Sequence, residues 1–470
     1  MPKMSVAGNG SRLPLLAPAE IRSWDPAAKA VRDIWAADSL RGRFARGAVW
    51  SLLGAFMSQG ANLAASVITA HLLGRGQFGA YGMLQSTVGM LGIFAGLGLG
   101  VTATKYVAEF RRRDPDRAGR IIALGCAAAI LSGGLISLAL LACAPTLAAK
   151  TLNSPALTGE LRIASVLLFF NALNGAQTGA LAGFEAFRAI ARINLARGLI
   201  AFPVAVAGVL LWRLPGAVWA LAVTAAATCL LSQISLRSQC TAFGIRPRFS
   251  GALGEGRALW TFSIPAFLSG ALVGPATWAA NTMLVNRPRG YAEMALFSAA
   301  NQWKSAILFA PLVLAQFALP LLSNLNGEKN LPSYEKTLRW HLTLTAAVSA
   351  AVAAPVALAA PHIMRLYGRN FQEGWPVLVL SAATAVIACL NGVVGTAILS
   401  AGSVWVNCAF SAMWAAVLLA GCHYSVPTHL AAGLAASTLG AYVAHTAWQA
   451  AYLRWHLNRL KRQTYAALAR

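Results

Sequence analysis

The sequence predicts an all-α polytopic membrane protein with about twelve transmembrane helices, in two six-helix bundles related by a parallel pseudo-two-fold repeat. Three observations lead there. Of 470 residues, 57% are hydrophobic and 11% charged, against about 25% charged in an average soluble domain, and the mean hydropathy is +0.60. The apolar residues fill nearly the whole chain in helix-length runs, and at roughly 35 residues per span and connection the length holds roughly 12 to 13 spans. The chain also repeats itself. These observations exclude a soluble enzyme, a disordered protein and a domain on a single anchor.

Residues 1–43 are polar and lack the apolar core of a cleavable signal peptide. They read as a cytoplasmic tail with a short interfacial helix near Ala27–Trp35. Apolar segments follow at 45–72, 79–104, 120–143, 160–184, 195–213, 217–236, 261–286, 293–322, 339–360, 375–399, 404–422 and 429–453. Residues 44–236 form the first bundle, 237–260 a cytoplasmic linker, 261–453 the second bundle and 454–470 a cytoplasmic C-terminal tail.

The net charge of +24 would suggest nucleic acid in a soluble protein. In a membrane protein, Lys and Arg collect instead in cytoplasmic loops, against anionic headgroups. With the N-terminus inside, 29 of the 38 Lys and Arg fall on the cytoplasmic side, 8 on the other, and Lys304 inside a span. The split fits an even number of spans with both termini cytoplasmic, and no nucleic-acid partner is implied.

Leu173-Asn174-Gly175 returns as Leu390-Asn391-Gly392, and the opening at Trp50 returns at Trp260. The offsets, 217 and about 210, align spans 1 and 4 with spans 7 and 10. Six spans per half bring both halves in from the same side, so the repeat is parallel.

Candidate functional residues begin with Lys304, 11 residues or about 16 Å into span 8 after Glu293. An intramembrane lysine costs about 2.5–3.5 kcal/mol on insertion scales. None of the 14 carboxylates sits at mid-depth to pair with it. Three readings stand: a neutral amine, an ammonium bonded to helix carbonyls near Pro311, or a cation facing water and an anionic ligand. Asn301 and Ser305 share its helix face by spacing. Ser58, Gln59, Asn62 and Ser66 make a polar stripe on span 1, and Asn171, Asn174 and Thr178 another on span 4, with Asn391 the repeat mate of Asn174. Singly, such residues serve interhelical hydrogen bonds worth about 0.6 kcal/mol; stripes on several spans point to a hydrated cleft. Arg75 lies at one mouth and Lys105 at the other.

Other motifs argue by exclusion. The seven cysteines are odd in number, without CxxC, and mostly within apolar runs, so they read as free thiols. The histidines have no paired-ligand spacing, so neither a metal nor another cofactor is expected. Without a P-loop, ATP is not this chain's direct energy source. Gly92, Gly96, Gly98 and Gly100 suit close helix packing or a helix that bends. Arg111–Arg117 reads as a topology determinant, or as a headgroup contact at the cytoplasmic mouth. The short outer connections carry no acid–base pair, against a membrane polymerase or ligase, so no catalytic residue is assigned.

The stretches WSLLGAFMSQGANL from Trp50, AHLLGRGQFGAYG from Ala70, GLGLGVTATKYVAEF at the end of span 2 and LYGRNFQEG from Leu366 resemble the polysaccharide and O-antigen flippases of the multidrug/oligosaccharidyl-lipid/polysaccharide exporter superfamily. The resemblance covers about residues 44–453, and its LLGxxxFGxY segment is the most specific part. It implies two bundles around a cleft that alternates between inward and outward states, and a polyprenyl-pyrophosphate-linked oligosaccharide as substrate. It also implies transfer from the cytoplasmic to the outer leaflet of a bacterial inner membrane, with the polar head in a cationic lumen. Membrane lipids, polysaccharide polymerase and chain-length machinery would be its partners. On this reading Lys304, Asn301, Gln59, Asn62, Asn174, Asn391 and Arg75 bind the substrate, and Trp278, Trp303 and Trp375 offer aromatic faces to sugar. A multidrug exporter of the same superfamily would be expected to use intramembrane carboxylates, which are absent here. A lipid II-type flippase shares the carrier and pyrophosphate and stays an alternative.

Overall fold

A computed structural model describes residues 40–251, 267, 271–327, 331–400 and 404–468. The segments expected to hold the Ala27–Trp35 helix and the repeat match at Trp260 lie outside these. The chain divides at Trp50/Ser51 into two units. In the first, residues 40–50 are helical; everything below concerns the second.

The described residues are almost entirely helical, with no strand. The helices are α1 (Leu40–Gly96), α2 (Leu99–Phe110), α3 (Pro115–Thr146), α4 (Thr158–Gly183), α5 (Phe187–Ala242), α6 (Val273–Val285), α7 (Gly290–Gly327), α8 (Leu331–Leu358), α9 (Ala360–Leu366), α10 (Trp375–Ser400) and α11 (Val404–Leu468). Six are long and apolar enough to cross a membrane, or seven if the bent pair α1–α2 is one span.

Three of these runs double back. In α5 the backbone breaks at Trp212 and Arg213 (φ 54°), and in α11 at Leu430 (φ 46°). A straight helix separates residues eight apart by about 12 Å. Here a Cβ on Gly208 would collide with the Gly216 carbonyl, and Ser425 Oγ donates to the Gly433 carbonyl at 3.0 Å. In α1 the turn is at Gly74, whose φ of 74° favours a residue without Cβ. Asn62 and Gln85 consequently line one cavity, although a straight helix would hold them about 34 Å apart. The hairpin limbs match the expected spans 1 and 2, 5 and 6, and 11 and 12. Span 7 is described as helix only over Val273–Val285, so the described residues do not complete the expected count of twelve.

The repeat is written into the geometry. Adding 217 to the bounds of α4 gives those of α10, and both have 26 residues. The same offset takes the break at Arg213 to Leu430 and the Gly208–Gly216 contact to Ser425–Gly433. It also takes the hydrogen bond between Ser232 and Asn174 to the one between Asn391 and Gln449, each spanning 58 residues.

Local chemistry explains the ends. Asp114 caps α3 by accepting from the Arg117 amide at 2.9 Å, with Pro115 in the first turn. Span 2 breaks at Leu97–Gly98, both with positive φ, and bends by 43°. The glycine run therefore serves both expected roles, since a Cβ on Gly179 would also collide with the Gly100 backbone. The segment expected as a C-terminal tail from 454 remains helical to Leu468. Lys461 holds this extension to α8 through Glu335 at 2.6 Å.

The main apolar core runs through both halves of the repeat, with Phe78, Leu84, Leu161, Leu168, Leu284, Ile307, Tyr367 and Phe371 in a single cluster.

Candidate functional site

Three cavities lie side by side in the large unit. The first, about 450 Å³, is walled by both limbs of α1, by α4 and α5, and by Gln302 and Ser305 of α7. The second, about 670 Å³, lies among the second limb of α1, α6, α7 and α11. The third, about 250 Å³, lies between α10 and α11. Gln85, Gly89 and Gln302 line both the first and the second. Val273, Trp414 and Tyr442 line both the second and the third.

Two cations reach this space. Lys304, from α7, lines the second cavity. Arg197, ten residues or about 15 Å into α5, lines the first and is solvent-accessible there. Neither makes an ion pair or hydrogen bond with another described residue. Among the described residues no carboxylate lines any of the three cavities. A charge without an ion-pair partner among membrane helices is sustained only where water or a ligand solvates it, and both groups border cavities that can hold one.

The expected site residues divide among these spaces. Gln59, Asn62 and Asn174 line the first cavity with Arg197, and Asn301 lines the second with Lys304. Asn391 lines the third, which adjoins the second at Val273, Trp414 and Tyr442. Asn391 donates to Gln449 Oε1 at 3.1 Å, and Gln449 Nε2 approaches both Asn407 Oδ1 and His445 Nε2 at 3.2 Å. In the first half, Asn174 Oδ1 accepts from Ser232 at 2.9 Å. These two asparagines thus have interhelical partners. Gln59 and Asn62 have none among the described residues.

Arg75 lines none of the three cavities. Its guanidinium is held by Glu293 and Glu373 and by the carbonyls of Ala292 and Asn370. Two of the expected tryptophans use their indole N–H within the protein. Trp278 Nε1 donates to Thr87 at 3.0 Å and Trp303 Nε1 to Tyr367 at 3.2 Å, while Trp375 lines no cavity described here and is half exposed. The aromatic rings lining these cavities are Tyr81 in the first, Phe297 in the second, and Trp414 and Tyr442, packed edge to face at 5.4 Å, in the second and third. At the opposite mouth, Arg111 pairs with Glu185 at 2.6 Å and Arg117 lies over the Phe110 ring at 4.2 Å, whereas Arg112 and Arg113 are exposed.

Arg197 is the residue that sequence reasoning does not find. A span 5 begun at residue 195 puts it in the first turn, where the charge count scores it with the cytoplasmic connection beside Arg188 and Arg192. The helix instead begins at Phe187. The signal is present upstream, since Ile190 and Ile193 already pack into an apolar cluster with Val107, Leu181 and Leu236.

Comparison with known proteins agrees with this architecture. A family model described as polysaccharide biosynthesis protein matches residues 44–326. The "EPS I polysaccharide export inner membrane protein EpsE" of Ralstonia nicotianae is 26% identical over 399 residues, covering 83% of this chain and 88% of that one. Its counterpart in Ralstonia solanacearum is 25% identical over 419 residues, covering 84% and 89%. Among solved structures, the inward-facing conformation of a multidrug resistance MATE family transporter of the MOP superfamily superposes with a TM-score of 0.74 at 16% identity, over 88% of this chain and 99% of that one. A MOP superfamily transporter from Pyrococcus furiosus, whose binding pocket is described as of reverse polarity, gives 0.65 at 15% identity, over 88% and 96%. The structural likenesses show a shared fold, and the family match spans more than half the chain. The protein belongs to the polysaccharide biosynthesis protein family and has the fold of the MOP-superfamily transporters.

Proposed function

We propose that this protein is a polysaccharide-export transporter of the bacterial inner membrane. It carries a polyprenyl-pyrophosphate-linked oligosaccharide from the cytoplasmic to the outer leaflet by alternating access. The observation that carries the reading is the pair of cations, Arg197 and Lys304, in adjoining cavities where the described residues offer them neither an ion-pair partner nor a carboxylate. That polarity suits a pyrophosphate and opposes a cationic drug. The export proteins of Ralstonia that the chain resembles support the same reading, and a transporter needs no catalytic centre.

On this reading the two bundles are residues 44–236 and 261–453, and both termini are cytoplasmic. Arg197 and Lys304 hold the phosphates. Gln59, Asn62, Asn301, Gln85 and Gln302 offer amides to sugar hydroxyls, Asn174 and Asn391 shape the polar walls, and the polyprenyl tail stays in lipid. Polymerase and chain-length proteins would take the product outside.

The test is a deletion strain in which surface polysaccharide and polyprenyl-pyrophosphate-linked sugar are quantified. The reading expects lost polymer, repeat units retained on the cytoplasmic side, and rescue by this chain. Normal polymer with altered drug sensitivity would replace it with drug export, and accumulation of cell-wall precursor alone would replace it with a lipid II-type flippase.

A further inference from the structure

We propose that Arg75 is the latch of a gate that closes one end of the cleft by clasping the two halves of the repeat together. It follows the Gly74 turn of α1, in the first half. All four of its acceptors belong to the second half: the Ala292 carbonyl and Glu293 carboxylate at the start of α7, and the Asn370 carbonyl and Glu373 carboxylate of the turn before α10. One guanidinium thus spans three segments, a geometry its planar fork of donors suits and a lysine does not.

Neighbouring contacts join the same two halves at the same end. Phe78 packs against Tyr367 and Phe371 with ring centroids 6.2 and 6.0 Å away, and all three rings are fully buried. Asn286 Nδ2 donates to the Thr151 carbonyl at 2.9 Å and Tyr291 to the Leu152 carbonyl at 2.7 Å. A Cβ on Gly79 would collide with the Tyr291 carbonyl. This is the end that the count of basic residues places outside.

The clasp is built to release. Arg75 and Glu293 are 17% and 18% exposed, but Glu373 is 67% exposed, so water replaces the lost partners when the halves part. A buried pair would leave stranded charges on opening. Arg75, one of the residues the sequence offers for substrate, is in this state a link between halves.

Calling the clasp a gate rests on the transporter reading, but the following test reads the clasp itself. A variant lacking the seven cysteines receives Ser305→Cys, which places a thiol in the first cavity. Labelling by a membrane-impermeant maleimide from outside intact cells is normalised to labelling after denaturation. Arg75→Ala should raise the outside signal about tenfold, the shift that about 1.4 kcal/mol gives between two states. Combining Arg75→Glu with Glu293→Arg and Glu373→Gln should restore the low signal. Arg213→Ala removes a hydrogen bond to the Leu72 carbonyl within the first half and should leave labelling unchanged. If Arg75→Ala does not reach the membrane, Glu293→Gln with Glu373→Gln removes the acceptors instead. Unchanged labelling in a well-expressed latch variant, or an equal rise in Arg213→Ala, overturns the proposal. The predicted labelling with normal polysaccharide in the deletion strain counts against the export reading alone.

Discussion

Lys304 and Arg197 line adjoining cavities from different helices and have no hydrogen-bond or ion-pair partner among the described residues. Each should therefore contribute more to substrate than to folding. Lys304→Ala should abolish surface polysaccharide at normal protein level, whereas Lys304→Arg should retain part of it; wild-type export by the Ala variant would remove Lys304 from the site. Arg197→Glu should be more damaging than Arg197→Ala, because it adds an anion where the described lining residues supply none, and Arg197→Lys should be mildest. Equal export by all three would make Arg197 a bystander. The two cations differ in legibility. Lys304 stands out as a lone charge in a long apolar run. Arg197 follows Arg188 and Arg192, and linear spacing does not separate the end of a basic loop from the first turns of a span. Hydropathy likewise finds the tryptophans but not what their N–H groups bond.

Elements in this protein are defined by where helices stop and reverse. Arg213 and Leu430 adopt positive φ without being glycine, a conformation that is uncommon for such side chains, and hydropathy marks a reversal only as a short polar interval. Close helix approach is equally hidden. Gly179 and Gly134 are indistinguishable as letters, yet a Cβ on Gly179 would overlap the Gly100 backbone while one on Gly134 meets nothing within 4 Å. Gly179→Leu should therefore destabilise the protein by about 1–3 kcal/mol through overpacking. Gly134→Ala should be neutral or stabilising by up to about 1 kcal/mol, because glycine is a poor helix former. Thermal unfolding of the purified protein in detergent reads both, and an unchanged Tm for Gly179→Leu would mean that α2 does not hold against α4. Similarly, Gln449→Leu removes the hub that Asn391, Asn407 and His445 share. It should cost more than one average interhelical bond of about 0.6 kcal/mol, seen as a larger fall in Tm than Ser232→Ala produces.

For the whole molecule, the repeat is the organising fact. The offset of 217 found in a three-residue match carries a helix pair, a backbone break and a hydrogen bond from one half to the other. The halves have nonetheless diverged where they meet substrate on our reading: position 197 is arginine and its mate, position 414, is tryptophan. A parallel repeat with six spans in each half requires both termini on one side. A reporter active only in the cytoplasm should work at either terminus. A cysteine replacing Asn153 should react from outside and one replacing Arg113 only from inside. A reversed pattern at either position would break the even-span arrangement and with it the identification of the outer gate.

Legible in the sequence were the helical membrane fold, the limbs of the three helical hairpins, the 217-residue repeat and Lys304 as a lone charge in an apolar run. Each of these depends on composition, period or charge along the chain, which the bilayer reads directly. It took the packed helices to show that Arg197, Lys304 and Asn391 line three adjoining cavities and that Arg75 is held by Glu293 and Glu373 instead. Those outcomes depend on which helix faces meet across more than 200 residues of chain, where backbone reversals fall, and which polar groups find partners. Cavity walls are assembled from distant segments, so their electrostatics emerge only when the helices pack.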